Sequence, residues 1–222
     1  HTRSLCDWSS DVCSSDLKVS VIVPNYNHAP HLPQRLDSIF AQDYPNYEVI
    51  LLDDCSTDGS REILSAYQQR FSDRTRCLFN RQNSGGVFHQ WAKGFSLATG
   101  DLVWIAESDD YCSSDFLREL VKPFVNQAVQ LAFARTLFVS SEHDLTTWST
   151  EEYLRDLGLD VWSDPFLASA HALTKNAWVV KNVIPNVSSA LFRNPVDLPL
   201  LADPQWQSMR LCGDWQIGRA HV

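Results

Sequence analysis

The chain lacks any apolar run approaching the roughly 18 residues that a membrane-spanning helix needs, so no span is expected within it. Basic residues are scarce beside acidic ones, 18 Lys and Arg against 27 Asp and Glu, giving a formal charge of −9. That balance excludes a polyanion-wrapping surface and argues against a nucleic-acid partner. It leaves room for one phosphorylated small ligand held through a cation. Six cysteines are present, of which Cys55, Cys77, Cys112 and Cys212 lie in the body of the chain without metal-ligand spacing. A zinc module is thereby excluded. The thiols read as free, in a reducing compartment: the cytoplasm, or the inner face of its membrane. His28, His31, His89, His143 and His171 pair at no recognisable metal spacing either, and surface or loop positions are expected of them. No internal repeat, low-complexity tract or linker divides the sequence.

Both ends stand apart from the rest. Residues 11–16, Asp-Val-Cys-Ser-Ser-Asp, can be encoded by a DNA string whose reverse complement reads Ile-Gly-Arg-Ala-His-Val, the sequence of residues 217–222. Protein physics gives no reason for such an inverted match, which resembles translated adapter DNA around a cloned fragment. Residues 1–17 and 217–222 are therefore set aside as non-native, and residues 18–216 are expected to form one domain, truncated at its C-terminus. A length of about two hundred residues suits a single domain with a sizeable core. The composition, 44% hydrophobic and 20% charged, is that of a globular chain.

What the chain does have is alternation. Residues 18–24 form an apolar run closed by Pro24, a buried strand by type. Leu32, Leu36, Ile39 and Phe40 then recur at helical spacing until Tyr44-Pro45-Asn46 ends the helix. A second strand over 48–54 leads into Ser56-Thr57-Asp58-Gly59, whose side chains suit the cap of a helix carrying Ile63, Leu64 and Tyr67. A third strand is expected at 76–80, a helix over 87–98 stopped by Gly100, and a fourth strand at 102–106. A helix over 116–124 and a strand over 129–139 follow. Beyond Ser140 the signals weaken, with helical patterns at 150–157 and 165–173 and a strand at 187–192. Strands alternating with helices imply right-handed crossovers, hence an α/β fold with a mostly parallel open sheet and helices on both faces.

The run Leu102-Val103-Trp104-Ile105-Ala106-Glu107-Ser108-Asp109-Asp110 is the most informative. A strand that ends in adjacent carboxylates puts hard oxygen ligands at the rim of a sheet, where open α/β folds bind their ligands. The alternative on residues alone is an Asp-rich turn or helix cap. Three other polar groups also follow strands: Pro24-Asn25-Tyr26-Asn27, Asp53-Asp54 and Asn83-Ser84-Gly85-Gly86. Parallel strands would bring all of them to one edge. Tyr26 offers a flat face for a base, Asp54 an acceptor for a ring N–H, and Asn83 with Gly85 a close backbone approach. The acidic pair can bring Mg²⁺ or Mn²⁺ to a diphosphate. Each taken singly also reads as ordinary turn chemistry. Trp162, Trp178 and Trp206 suit either the lining of a cleft or core packing.

In that order, Val-Ser-Val-Ile-Val-Pro-Asn-Tyr-Asn, Asp-Asp-Cys-Ser-Thr-Asp-Gly-Ser, Asn-Ser-Gly-Gly and Glu-Ser-Asp-Asp resemble the inverting family-two glycosyltransferases of GT-A fold. The likeness is strong over about 18–126 and extends to Ile184-Pro185-Asn186-Val187-Ser188-Ser189 and Cys212-Gly213-Asp214-Trp215. It implies transfer of a sugar from a nucleoside-diphosphate donor of UDP, dTDP or GDP type to a glycan or lipid-linked acceptor hydroxyl, in cell-surface polysaccharide or glycan synthesis. By position, Pro24 and Tyr26 would flank the base and Asp54 would bind its ring N–H. Asp109 would face the ribose or sugar, Asp110 would hold Mn²⁺ or Mg²⁺, and Asp214 would be the catalytic base. On residues alone Asp214 reads equally as a helix cap ahead of Trp215. Many relatives carry Ala-Arg-Asn shortly after the glycines; this chain has His89-Gln90-Trp91-Ala92-Lys93, leaving Lys93 or His89 for the phosphates. The rival classes are an inactive nucleotide-sugar binding module and a sugar-phosphate nucleotidyltransferase. The latter calls for a glycine-rich basic loop after the first strand, which this chain lacks.

Overall fold

The structure, a computed structural model, describes residues 16–139, 146–157, 164–195 and 198–209. Consecutive apolar, β-branched residues make Val19–Asn25 a strand, β1, buried at every position. The chain continues through α1 (Leu32–Phe40), β2 (Tyr47–Asp53), α2 (Ser60–Arg70), β3 (Thr75–Phe79), α3 (Val87–Leu97), β4 (Leu102–Ile105) and α4 (Phe116–Val121). Shorter elements follow: β5 (Leu131–Phe133), β6 (Leu137–Val139), β7 (Thr146–Ser149), α5 (Thr150–Leu154), α6 (Ala170–Leu173), β8 (Ala190–Arg193) and α7 (Pro204–Gln207). β2 and β4 flank β1 in parallel, and β3 extends the parallel set beyond β2. On the other side β8 runs antiparallel to β4, and β5 antiparallel to β8. The six-stranded order is β3-β2-β1-β4-β8-β5, with β6 and β7 paired in a separate ribbon.

Side chains of a strand alternate between faces, and each face has its own core. Val19, Val21, Val23, Val49, Leu51 and Trp104 pack against Leu32, Leu36 and Ile39 of α1, Leu64 of α2 and Phe116, Leu117 and Leu120 of α4. Ile22, Ile50, Leu52, Val103 and Ile105 meet Phe88, Trp91 and Phe95 of α3, joined by Trp178, Phe192 and Trp206. Trp178 and Trp206 are thus core residues rather than cleft lining, 3% and 1% exposed. α3 comes so close to β1 that a Cβ on Gly94 would stand 2.3 Å from Ile22 Cγ2. Among the described residues no helix is long and apolar enough to cross a membrane, and Cys55, Cys77 and Cys112 are free thiols.

The second half departs from expectation. The strand expected over 129–139 is broken between β5 and β6, which belong to different sheets. The helix expected over 116–124 tightens into a 3₁₀ turn at Lys122–Val125, since Pro123 offers no N–H to continue the α-helical ladder. The helix expected at 165–173 is confined to Ala170–Leu173 and a widened turn at Thr174–Trp178. Residues 187–189 form a 3₁₀ turn ahead of β8. The cap ahead of α2 is Gly59 with left-handed backbone, while Asp58 Oδ1 accepts from Ser60 N.

Candidate functional site

The parallel register of β1, β2 and β4 carries the segments after them to one edge. Cross-bonds stitch those segments into a continuous rim. Asp54 N donates to Asn25 O (2.9 Å), Asn27 N to Ser56 Oγ (2.9 Å) and Thr57 N to Asn27 Oδ1 (2.8 Å). His28 Nδ1 lies 2.6 Å from Ser108 Oγ, joining the loop after β1 to the acidic loop after β4. Asn27 and Cys55 hold left-handed backbone, with φ of 56° and 68°. Asparagine tolerates this; for cysteine it costs about 1–2 kcal/mol.

Asp53 and Asp54 have different surroundings. Asp53 is fully buried and accepts from Asn25 Nδ2 (3.1 Å), Ser56 N (3.1 Å) and Arg61 Nε (2.8 Å). Asp54, 4% exposed, accepts from Asn80 Nδ2 (2.7 Å), Ser84 N (2.9 Å), Ser84 Oγ (2.8 Å) and Gln90 Nε2 (2.9 Å). Its carbonyl accepts from Asn83 Nδ2 (3.0 Å), and Asn83 Oδ1 in turn accepts from Gly85 N (2.8 Å). Gly85 turns the chain at φ 88°, which glycine adopts without strain. The carboxylate expected to meet a ring N–H therefore has its lone-pair positions filled by its own chain. Asp54 anchors the loop that carries Asn83 and Gly85, both exposed on the rim.

The remaining expected residues divide. Tyr26 stands at the rim, 49% exposed, whereas Pro24 is buried inside β1 opposite Leu52. Lys93 Nζ donates to Asn80 Oδ1 (2.5 Å), supporting the loop from behind, and His89 lies beside Gly86. Asp214, Cys212 and Trp162 fall outside the described residues.

After β4 the backbone turns back, Asp110 N donating to Glu107 O (3.3 Å). Glu107 Oε1 accepts from Trp91 Nε1 (2.7 Å). Burial pushes the Glu107 carboxyl up to about 8; the Trp91 hydrogen bond and Arg35 oppose this, while Asp109 and Asp110 add to it. Asp109 is exposed and Asp110 half-buried. Asn186, which sequence reasoning left without a role, donates from Nδ2 to Asp110 Oδ2 (2.9 Å). Its Oδ1 accepts from Ser188 N (2.7 Å), Ser188 Oγ accepts from Glu107 N (2.9 Å), and Ser188 O accepts from Trp104 Nε1 (2.8 Å). The 186–189 segment thus clasps the acidic loop. Among the described residues no three His, Cys, Asp or Glu side chains converge into a metal cage. Asp109 and Asp110 instead suit Mg²⁺ or Mn²⁺ held by one or two carboxylates and completed by phosphate oxygens.

A four-strand parallel set with one reversed strand beside it, and a polar rim where the parallel strands end, defines a GT-A type α/β fold. The chain belongs to glycosyl transferase family 2, whose model matches residues 20–184. It is similar to an uncharacterized glycosyltransferase of Nostoc sp. (strain PCC 7120), 30% identical over 181 residues, 81% of this chain and 52% of that protein. It is also similar to the poly(ribitol-phosphate) beta-N-acetylglucosaminyltransferase TarS of Staphylococcus aureus, 34% identical over 105 residues, 46% of this chain and 18% of that protein. The chain thus spans about half the length of the Nostoc relative, and less of TarS. The crystal structure of S. aureus TarS 1–349 shares the fold at a TM-score of 0.61 and 20% identity, covering 92% of this chain and 55% of that one. A mannosyltransferase of Pyrobaculum calidifontis, solved with GDP-Man and Mn²⁺, does so at 0.57 and 23% identity, covering 84% and 46%.

Proposed function

We propose that this chain is the donor-handling part of an inverting glycosyltransferase, moving a sugar from a nucleoside-diphosphate sugar to an acceptor hydroxyl of a glycan or lipid-linked molecule. The observation that carries the reading is the meeting of Tyr26, the Asp54-anchored Asn83–Gly85 loop and Asp109-Asp110 along one edge. Family membership supports it. So do the ligands of proteins sharing the fold: UDP-GlcNAc in S. aureus TarS, GDP-Man with Mn²⁺ in the mannosyltransferase. The TarS relative's polymer substrate favours cell-surface polysaccharide synthesis.

In this reading Tyr26 stacks on the base and Asn83 with Gly85 lines the nucleotide. Asp109 meets the ribose or sugar, and Asp110 with Asp109 holds Mn²⁺ or Mg²⁺. When bound, the cation would neutralise charge on the departing diphosphate. Asp214 takes the proton of the acceptor hydroxyl as its oxygen attacks the anomeric carbon. No protein nucleophile is assigned, so a single displacement inverts that carbon. Calorimetric titration with UDP, GDP and dTDP, with and without Mn²⁺, tests the site. One of the three should bind, and Asp110→Ala should abolish the Mn²⁺-dependent part. Unchanged affinity in that variant would remove the cation from Asp110.

A further inference from the structure

α1 turns Leu32, Leu36 and Ile39 toward the sheet, and Arg35 lies on the same buried face with no exposed surface. No oxygen accepts from its guanidinium; the group paired with it is the Cys112 thiol, two residues beyond Asp110, which Arg35 reaches by a side-chain hydrogen bond. A guanidinium stays charged in a protein, and burying an uncompensated cation is costly. Two features offset that cost. Arg35 Cζ sits 4.8 Å from the centroid of the Trp104 ring, a cation–π contact. Burial draws its pKa below the ordinary value, while Cys112, Asp110, Glu107 and Asp109 all act to favour the charged form. Trp104 belongs to β4, which runs directly into the acidic loop, so the guanidinium lies beneath that loop. Being fully buried, it cannot touch a donor, an acceptor or their phosphates.

A charge placed there acts through the carboxylates above it. Asp109 and Asp110 crowd one short turn with Glu107, and a fixed positive charge below relieves part of the repulsion between the ionised carboxylates. The same charge repels a divalent cation that approaches Asp109 and Asp110. It attracts a diphosphate. Resting on the reading above, we propose that Arg35 is a positioning residue for charge, the buried counter-cation of the acidic loop. It keeps that loop a poor site for a divalent cation alone and a good one for cation and diphosphate together. The absence of a three-residue cage among the described residues fits a site that the nucleotide must complete.

The test measures two affinities separately, in the wild-type chain, in R35M and in R35K. One is for Mn²⁺ alone, followed by the paramagnetic resonance of the free ion. The other is for UDP or GDP, whichever the wild-type chain binds, with metal chelated. Coulomb's law, screened by solvent, sets the expectation: R35M should bind Mn²⁺ about tenfold more tightly and metal-free nucleotide about tenfold more weakly. R35K, which keeps the charge, should match the wild type in both. Opposite signs are the signature of a charge role, because a loosened core would weaken both. Both affinities falling together, or neither moving, would overturn the proposal while leaving the donor site standing. A wild-type chain that binds neither UDP nor GDP, with Mn²⁺ or without it, would overturn the functional reading and this inference with it. Should R35M fail to fold, R35Q carries the same expectation.

Discussion

Asn186 shows what one residue contributes that a sequence alone does not reveal. Its Nδ2 holds Asp110 Oδ2 at 2.9 Å while its Oδ1 caps the turn at Ser188. The segment Ile184–Ser189 is legible as part of the family likeness, yet nothing local says which carboxylate it reaches, because the partners are 76 residues apart. The rim positions of Tyr26, Asn83, Gly85, Asp109 and Asp110 could be read from sequence because each follows a recognisable strand or opens a helix. Asp54 could be read as a strand-end residue but not in its surroundings: Asn80, Ser84 and Gln90 reach it through a loop whose path no spacing encodes. Groups that orient a metal-binding ligand typically alter cation affinity by about 10–100-fold when removed. Asn186→Ala should therefore raise the Mn²⁺ concentration needed for half-maximal nucleotide binding at least about tenfold. Binding at saturating Mn²⁺ should be nearly unchanged. A titration in which the Mn²⁺ midpoint stays put would show that Asn186 only braces its own turn.

At the scale of elements, the first half could be read from pattern because its strands and helices are long enough to carry their periods. β5, β6, α6 and β8 have only three or four residues each. Elements so short are set by what they pack against rather than by propensity, which is why the strand expected over 129–139 splits. The junction of α3 with β1 is the clearest case of packing overriding propensity. Alanine is a better helix former than glycine by about 1 kcal/mol, so Gly94→Ala would stabilise an isolated α3. Here the added Cβ would stand 2.3 Å from Ile22 Cγ2 and 2.9 Å from Ile22 Cδ1, a side chain with no exposed surface. Overpacking of a filled core costs about 1–3 kcal/mol, the larger effect. Gly94→Ala should lower the urea midpoint, and stability equal to the wild type would mean that α3 can slide away from β1.

Across the whole molecule, Glu48 and Glu107 lie at opposite ends of the sheet and are shifted in opposite directions. At the amino ends of the strands, Glu48 accepts from Ser20 Oγ (2.7 Å), Thr99 Oγ1 (2.7 Å) and Thr99 N (2.9 Å), with Lys18 and Arg76 beside it. Burial alone would raise its pKa, but those hydrogen bonds and Lys18 outweigh burial and hold it at about 2. At the carboxyl ends, burial pushes Glu107 up to about 8. A carboxyl depressed by folding adds stability above its unfolded pKa and loses it as the pH falls toward the folded value. Glu48 should thus contribute up to about 3 kcal/mol at neutral pH, fading between about pH 4.5 and 2. A carboxyl raised by folding behaves in the reverse sense: stability is full below its unfolded pKa of about 4.5 and is lost as the pH rises from there to about 8. In metal-free buffer, Glu48→Gln should therefore be much less stable than the wild type at pH 7 and converge with it toward pH 2. Glu107→Gln should gain steadily on the wild type from about pH 4.5 upward, the gain levelling off above about pH 8, where the natural carboxyl is ionised beside Asp109 and Asp110. Thermal unfolding of both variants across that range separates the ends. If Glu107→Gln gained nothing over that range, the acidic loop would not be a destabilised edge of the sheet.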